Sequence, residues 1–371
     1  MLKVGSDFSG VGAFNQALIR LEKPYKEIFA CDMDKYARQT FIENYGEPEY
    51  YPTNVYDREI PKDSLDIYMT SPPCQAFSSA GNKLGKDDKR GILFFNSYEF
   101  IQVNKPRFFI FENVKGLLSD DNGKTFNEWV NMLGGKSVNG VPVLFPYEES
   151  VPYHLYWKVL NAKEHGVPQN RERVFLIGIR DDSDNKFQFP KEEHLTKRLK
   201  DVLEENVEDK YFLSEKMVNG FTKHNENHNE KGTGFIFDPK DENDIANCLR
   251  ANAAICPTDN TVKIKPNFTI KKLNETLENN VFTIGKVSYI DTHNRTIHQH
   301  AKTITSRVDA SNASHLWNGY QIRKLTPREC FRLMDFPETF TWPVSNSQAY
   351  KQAGNSIVVN VLYKILKNLP L

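Results

Sequence analysis

Only five cysteines occur in this chain, at 31, 74, 248, 256 and 330, and none forms a C-x-x-C pair. An odd, scattered set of thiols excludes a disulfide framework and a cysteine-based zinc site. A surplus of charge is missing too, because 48 basic and 48 acidic residues cancel. Composition therefore points to no polyanion, and any nucleic-acid contact has to come from a local basic cleft. No apolar run approaches the roughly 20 residues of a membrane span. The N-terminus, Met1-Leu2-Lys3-Val4-Gly5, enters a strand-like run without a charged and apolar leader. The expectation is a cytoplasmic protein with no membrane contact. The histidines at 224, 228, 293, 298, 300 and 315 lie among Asn and Gln, without acidic or cysteine partners at ligand spacing. No metal is expected.

What the chain does have is length for two domains, 371 residues with 39% hydrophobic content. Short β-type runs at 3–6, 27–31, 65–69 and 107–111 alternate with helical stretches at 13–21, 34–45 and 95–104, and the run 173–179 extends the series. This alternation predicts an α/β fold, a mostly parallel sheet with helices on both faces. After Arg180 the rhythm stops, and residues 186–319 are richer in Asn, Thr, Lys and His. A helix start returns at Thr326-Pro327-Arg328-Glu329, with a capping Thr, a Pro at the first helical position and a Glu in the first turn. A last helix, 355–367, is apolar on one side and suited to packing on the N-terminal sheet. The expected organisation is a first domain in two pieces, 1–183 and 320–371, with a smaller domain, 184–319, inserted between them.

Two strand ends carry chemistry. Cys74 follows Leu65-Asp66-Ile67-Tyr68-Met69 and sits in Ser71-Pro72-Pro73-Cys74-Gln75, where two prolines fix the backbone. Strand ends of open α/β sheets face the ligand crevice, so a nucleophilic thiol is one reading and a buried inert cysteine the other. Asp7-Phe8-Ser9-Gly10-Val11-Gly12 joins a strand to a helix, and its glycines permit close backbone approach to a ligand. It lacks the third glycine of a dinucleotide fingerprint. Asp32, at the tip of the next strand, suits a ribose diol because an ionised carboxylate accepts from both hydroxyls. A solvent-facing turn acid is the alternative.

Taken in order, Asp7-Phe8-Ser9-Gly10-Val11-Gly12, Pro72-Pro73-Cys74-Gln75, Phe111-Glu112-Asn113-Val114, Gln169-Asn170-Arg171-Glu172-Arg173 and Gln352-Ala353-Gly354-Asn355-Ser356 resemble the motifs of the C5-cytosine DNA methyltransferase family. The resemblance covers about residues 1–180 and 320–371. It implies a Rossmann-like domain that uses S-adenosylmethionine, leaving S-adenosylhomocysteine, and an inserted target-recognition domain. Cys74 is then the covalent nucleophile at cytosine C6, Glu112 the acid at N3, Arg173 the contact to the cytosine carbonyl and Arg171 its support. Asn113 braces the loop of Cys74. The implied cofactor contacts are Asp7, Phe8, Ser9, Gly10, Val11, Gly12, Asp32, Met33, Asn54, Val55, Pro73, Leu93, Asn355 and Ser356. Asn54 stands where many relatives carry an acid, and Asn355-Ser356 also suit a cap for the last helix.

The glycine-hinged, basic stretch 79–91 resembles a lid over DNA, so Ser78, Lys83, Lys86, Lys89 and Arg90 are expected DNA contacts. Ala80 replaces a serine that fills the flipped-base gap in some relatives. In 184–319, Ala246-Asn247-Cys248-Leu249-Arg250-Ala251 and Ala301-Lys302-Thr303-Ile304-Thr305-Ser306-Arg307 echo the family's Thr-Leu motif, which nominates Arg250, Thr303 and Arg307. The segment 134–153 reads as an insertion. The expected partner is double-stranded DNA, bound by a monomer, with a cognate restriction endonuclease in the same system. A tRNA cytosine-5 methyltransferase of the same fold is the rival reading.

Overall fold

Four parallel strands carry the chemistry-bearing segments. In chain order they run β1 (Leu2–Asp7), α1 (Ala13–Arg20), β2 (Tyr25–Cys31), α2 (Lys35–Tyr45), β3 (Ile67–Thr70), α3 (Ile92–Asn104) and β4 (Phe108–Val114). The computed structural model describes residues 1–73, 92–183, 185–231, 236–251, 259–265, 289–291, 296–298, 316–317 and 320–371. After β4 come α4 (Lys124–Leu133), β5 (Ser137–Val138), β6 (Val141–Pro142), β7 (Tyr153–Asn161), β8 (Gln169–Asn170) and β9 (Glu172–Arg180). The sheet has eight strands in the order β2-β1-β3-β4-β9-β7-β5-β6. The pairs β1/β2, β1/β3 and β3/β4 are parallel, whereas β9 runs antiparallel to both β4 and β7.

Burial explains why these segments form strands. Phe108, Phe109, Ile110 and Phe111 are all fully buried, which fits a central strand covered on both faces. Each such side chain stabilises the fold by about 1.5–3 kcal/mol relative to exposure. Around them Phe29, Tyr68, Phe94, Phe100, Trp129 and Leu176 join one core cluster. The stretch 134–153 contributes the hairpin β5/β6 through Asn139 (φ 48°) and Gly140 (φ 82°), the left-handed pair that a two-residue hairpin turn needs.

The chain forms two compact units. The first comprises Met1–Lys197, Asn247–Ala253 and Cys330–Leu371, and the second Arg198–Ala246 with Ala254–Glu329. In the second, Thr261–Ile264 and Leu316–Trp317 flank Tyr320–Lys324 in an antiparallel sheet. Helix α5 (Glu215–Lys231) belongs to the same unit, and Leu213, Val218, Phe237 and Ile322 form a small core. Arg323 and Glu329 make a buried ion pair at 2.6 Å there.

Helix α6 (Pro327–Leu333) begins as its sequence signature predicts: Thr326 Oγ1 accepts from Glu329 N, and Glu329 Oε2 accepts from Thr326 N. The expected helix 355–367 is different. Helix α7 (Asn346–Asn355) ends at its first residue, and α8 (Val359–Lys367) starts after an extended Val358. The β-branched run Ile357-Val358-Val359 favours that extended link. Asn355 and Ser356 therefore finish one helix and do not cap the next.

Candidate active site

Register brings the sequence blocks to one edge. Asp7 lies opposite Cys31 and Thr70, and Thr70 lies opposite Phe111, so β1 to β4 end together. Antiparallel β9 places Arg173 opposite Val114 at the same edge. This is the crevice outside the carboxyl ends of the strands.

At one end of the edge, the loop after β1 is held by β2. Ser9 N and Oγ both donate to Cys31 O, and Gly10 N donates to Asp32 Oδ2 at 2.7 Å. Asp34 N donates to Asp32 Oδ1 at 2.8 Å. Burial pushes the Asp32 carboxyl up, and these backbone N–H groups oppose it. Phe8 (φ 57°), Gly10 (φ 55°) and Gly12 (φ 81°) all adopt left-handed backbone. A Cβ on Gly12 would lie 2.2 Å from the Tyr45 ring, whereas one on Gly10 would meet nothing closer than Phe8 O at 4.0 Å. The loop is thus packed beneath and open above.

Met33, beside Asp32, is 85% exposed. Val11 and Val55 are buried, Leu93 packs on the core, and Pro73 is exposed. Asn54 Oδ1 accepts from Tyr56 N at 3.1 Å and turns the chain there. An open glycine loop, an aromatic ring, a carboxylate and an uncovered thioether fit an adenosine-sized cationic ligand. The carboxylate at the same place opposes a phosphate.

Asp7 itself does not line this opening with its side chain. Its carboxylate is fully buried, 2.9 Å from Arg58 Nε, and it accepts from Tyr68 Oη at 2.6 Å.

At the other end, Glu112 is 7% exposed and its Oε1 lies 3.1 Å from Arg173 Nε. Burial raises the Glu112 carboxyl above the ordinary glutamate range, while Arg173 and then Arg171 oppose it. Asn113 Nδ2 donates to Pro72 O at 3.2 Å, two residues before Cys74. Arg171 is buried and donates to Cys248 Sγ, Leu249 O, Gly354 O and Ser356 O. Burial lowers its guanidinium to about 10, which leaves it charged at neutral pH. The neighbouring Gln169 donates to Leu333 O and accepts from Leu249 N.

The C-terminal piece joins the two ends. Lys351 Nζ lies 2.6 Å from Asp34 Oδ2, and Thr40 Oγ1 donates to Gln352 Oε1, which ties α7 to α2 on the Asp32 side. Arg171 ties Gly354 and Ser356 to the Glu112 side. Ser356 is buried and Asn355 exposed. Arg250 is exposed, while Cys74, Ser78, Lys83, Lys86, Lys89, Arg90, Thr303 and Arg307 lie outside the described residues.

Arg58, Tyr68 and Gln169 carry site geometry without having been singled out in the sequence. The available signal was Asp7, a carboxylate at the end of a buried strand, which demands a cation.

A family model described as C-5 cytosine-specific DNA methylase matches residues 2–370. The type II methyltransferase M.HpaII of Haemophilus parainfluenzae is 32% identical, over 98% of this chain and 88% of its own. M.HhaI of Haemophilus parahaemolyticus is 31% identical, over 98% and 92%. The orphan methyltransferase M.SPRI of Bacillus phage SPR is 31% identical, over 99% and 97%. Among solved structures, the S. pombe Dnmt2 methyltransferase has a TM-score of 0.65 at 20% identity, covering 99% of this chain and 97% of that one, a likeness of fold. With strand-end geometry and full-length relatives in agreement, the chain belongs to the C-5 cytosine-specific DNA methylase family.

Proposed function

We propose that the protein methylates C5 of a cytosine extruded from a specific duplex DNA sequence, through a transient bond between Cys74 and C6. Cytosine C5 is too weak a nucleophile to take a methyl group unaided, so addition at C6 first makes the ring enamine-like. S-adenosylmethionine supplies the electrophilic methyl group.

The Cys74 thiolate adds to C6 while Glu112 gives its proton to N3, so the ring does not accumulate charge. Arg173 orients the base through its carbonyl, a task suited to a rigid guanidinium fork. Once C5 is methylated, its hydrogen leaves as a proton taken up by water, the Cys74 sulfur departs as thiolate with the C6–S electron pair, and N3 returns its proton to the Glu112 carboxylate, restoring the aromatic ring and both side chains. Arg171 acts through others, fixing the 354–356 segment beside the reacting centre.

On the cofactor side, Phe8 meets the adenine face, Asp32 the ribose hydroxyls, and Asn54, Val55 and Leu93 the adenine rim. Met33, Pro73 and the loop Ser9 to Gly12 complete the wall, and Asn355-Ser356 close it. Lys83, Lys86, Lys89 and Arg90, with Ser78, belong to a lid over the DNA. The inserted unit reads the sequence, with Thr303 and Arg307 as contacts, and Arg250, which belongs to the first unit and not to the inserted one as its sequence position had implied, adds a further contact. The setting is a cytoplasmic monomer whose modification protects sites from a nuclease of matching specificity.

The observation that most supports this reading is the buried Glu112–Arg173 pair at the strand edge, an acid whose burial favours its protonated form beside an oriented guanidinium. The test uses a duplex bearing 5-fluorocytosine, with a tRNA transcript as the competing substrate. Methyl transfer to duplex and a trapped adduct through Cys74 are expected, both abolished by Cys74→Ala. Transfer to the tRNA alone, or normal turnover by that variant, overturns the proposal.

A further inference from the structure

Arg58 occupies a place that the reaction itself does not explain. Its side chain is 2% exposed, yet it follows the half-exposed Asn54 by only four residues. Three of its contacts reach two different elements, β1 and α3. Nε pairs with the Asp7 carboxylate at 2.9 Å, at the tip of β1 and directly before Phe8. Nη2 donates to Asn96 O at 3.3 Å, one turn along α3 from Leu93. The guanidinium carbon lies over the Phe100 ring of the same helix, 4.7 Å from its centroid. Phe100 in turn stacks on Tyr68 at 4.1 Å, and Tyr68 donates to the second Asp7 oxygen.

We propose that Arg58 is the positioning residue of the adenine pocket, holding at one separation the three segments that carry Phe8, Asn54–Val55 and Leu93. This rests on the cofactor reading given above and deepens it. The side chain touches none of the reacting atoms. Its effect is to spare the pocket the ordering that an unlinked set of segments would undergo on binding. A planar fork with several donors suits this task, because one group must meet a carboxylate, a carbonyl and a ring at once. A lysine ammonium keeps the charge opposite Asp7 but not the three-way geometry.

The test is calorimetric titration of S-adenosylhomocysteine into the full chain and its variants, alongside thermal unfolding and steady-state kinetics. Arg58→Met is expected to weaken S-adenosylhomocysteine binding by about tenfold or more, with the loss falling on KM for the methyl donor and not on KM for DNA. Arg58→Lys is expected to lose at least about threefold while keeping the wild-type melting temperature more closely. Asp7→Asn combined with Arg58→Met removes both buried charges, and should recover thermal stability without recovering cofactor affinity.

That separation is what a merely structural role fails to give. If the folded Arg58→Met variant binds within about threefold of wild type, the inference is overturned. Should that variant be too unstable to titrate, the same threshold applies to Arg58→Lys. A wild-type protein that takes up no S-adenosylhomocysteine overturns the cofactor reading itself, a result distinct from equal binding by wild type and variant.

Discussion

One strand edge holds two carboxylate–arginine pairs, and they differ in access to the crevice. Asp7 and Arg58 have side chains 0% and 2% exposed, with a tyrosine hydroxyl sealing the second carboxylate oxygen. Glu112 and Arg173 keep 9% and 16%, and the second Glu112 oxygen is not part of that ion pair. A closed pair has all its charge spent on the fold and serves by fixing the distance between segments. A pair with residual access can exchange a proton with a bound base. The same two residue types thus serve different ends of one site, and burial decides which.

The comparison is broken most directly at the open pair. Glu112→Gln keeps the shape and removes the acid, so single-turnover methyl transfer should fall about 10²- to 10⁴-fold while S-adenosylhomocysteine affinity holds. The pH profile gives a second reading. Because burial raises the carboxyl, the acid form persists to higher pH than in an exposed glutamate, and activity declines as pH rises through that raised value. The Gln variant should lack this limb. The stability linkage has the same sign: stability from neutral Glu112 is complete below the unfolded glutamate value and is lost as pH rises through the folded one. Loss of cofactor binding instead of turnover would mean that the two pairs do the same work.

Arg171, in the link between β8 and β9, tests the comparison from the other side, because its hydrogen bonds go to backbone carbonyls and the Cys248 thiol. Arg171→Met leaves the carbonyls of Leu249, Gly354 and Ser356 without their buried cation. The cost is about 1–3 kcal/mol in denaturant unfolding for each buried acceptor left unsatisfied. Hydrogen exchange should rise first around 346–367 and later in β1 to β3, since the lost bonds anchor the C-terminal piece. Uniform exchange across the sheet would place its role elsewhere.

How much of this was legible depended on whether a residue's partner lay in a periodic segment. The alternation of apolar runs and helical stretches placed β1 to β4, strand-end position then exposed Asp32 as a candidate, and the family resemblance nominated Glu112. Thr326, Pro327 and Glu329 announced their helix locally. Arg58 left no such trace, because its loop has no periodicity and its partner Asp7 lies across the strand edge. The anchoring of Leu249, Gly354 and Ser356 by Arg171 joins distant parts of the chain. Composition likewise gives no sign that 247–253 returns to the first unit. The Asn139-Gly140 hairpin was readable in principle, as a turn pair between two short apolar runs, and resolves what had appeared only as extra length.

The smallest expected effect sharpens the rule most, because it holds sequence position nearly constant. Glu172 stands between Arg171 and Arg173, and pairs with Lys115 at 2.9 Å, a shorter distance than the Glu112–Arg173 contact. Distance and neighbourhood alone would rank it with them. Its side chains are 55% and 42% exposed, however, so water screens the attraction and ordering two flexible side chains offsets much of the gain. Lys115→Ala should shift unfolding by less than about 1 kcal/mol, and added salt should erase even that. If this variant instead destabilised the protein as much as Arg171→Met, proximity to the strand edge would be the controlling variable, and the distinction drawn between sealed and accessible pairs would lose its physical basis.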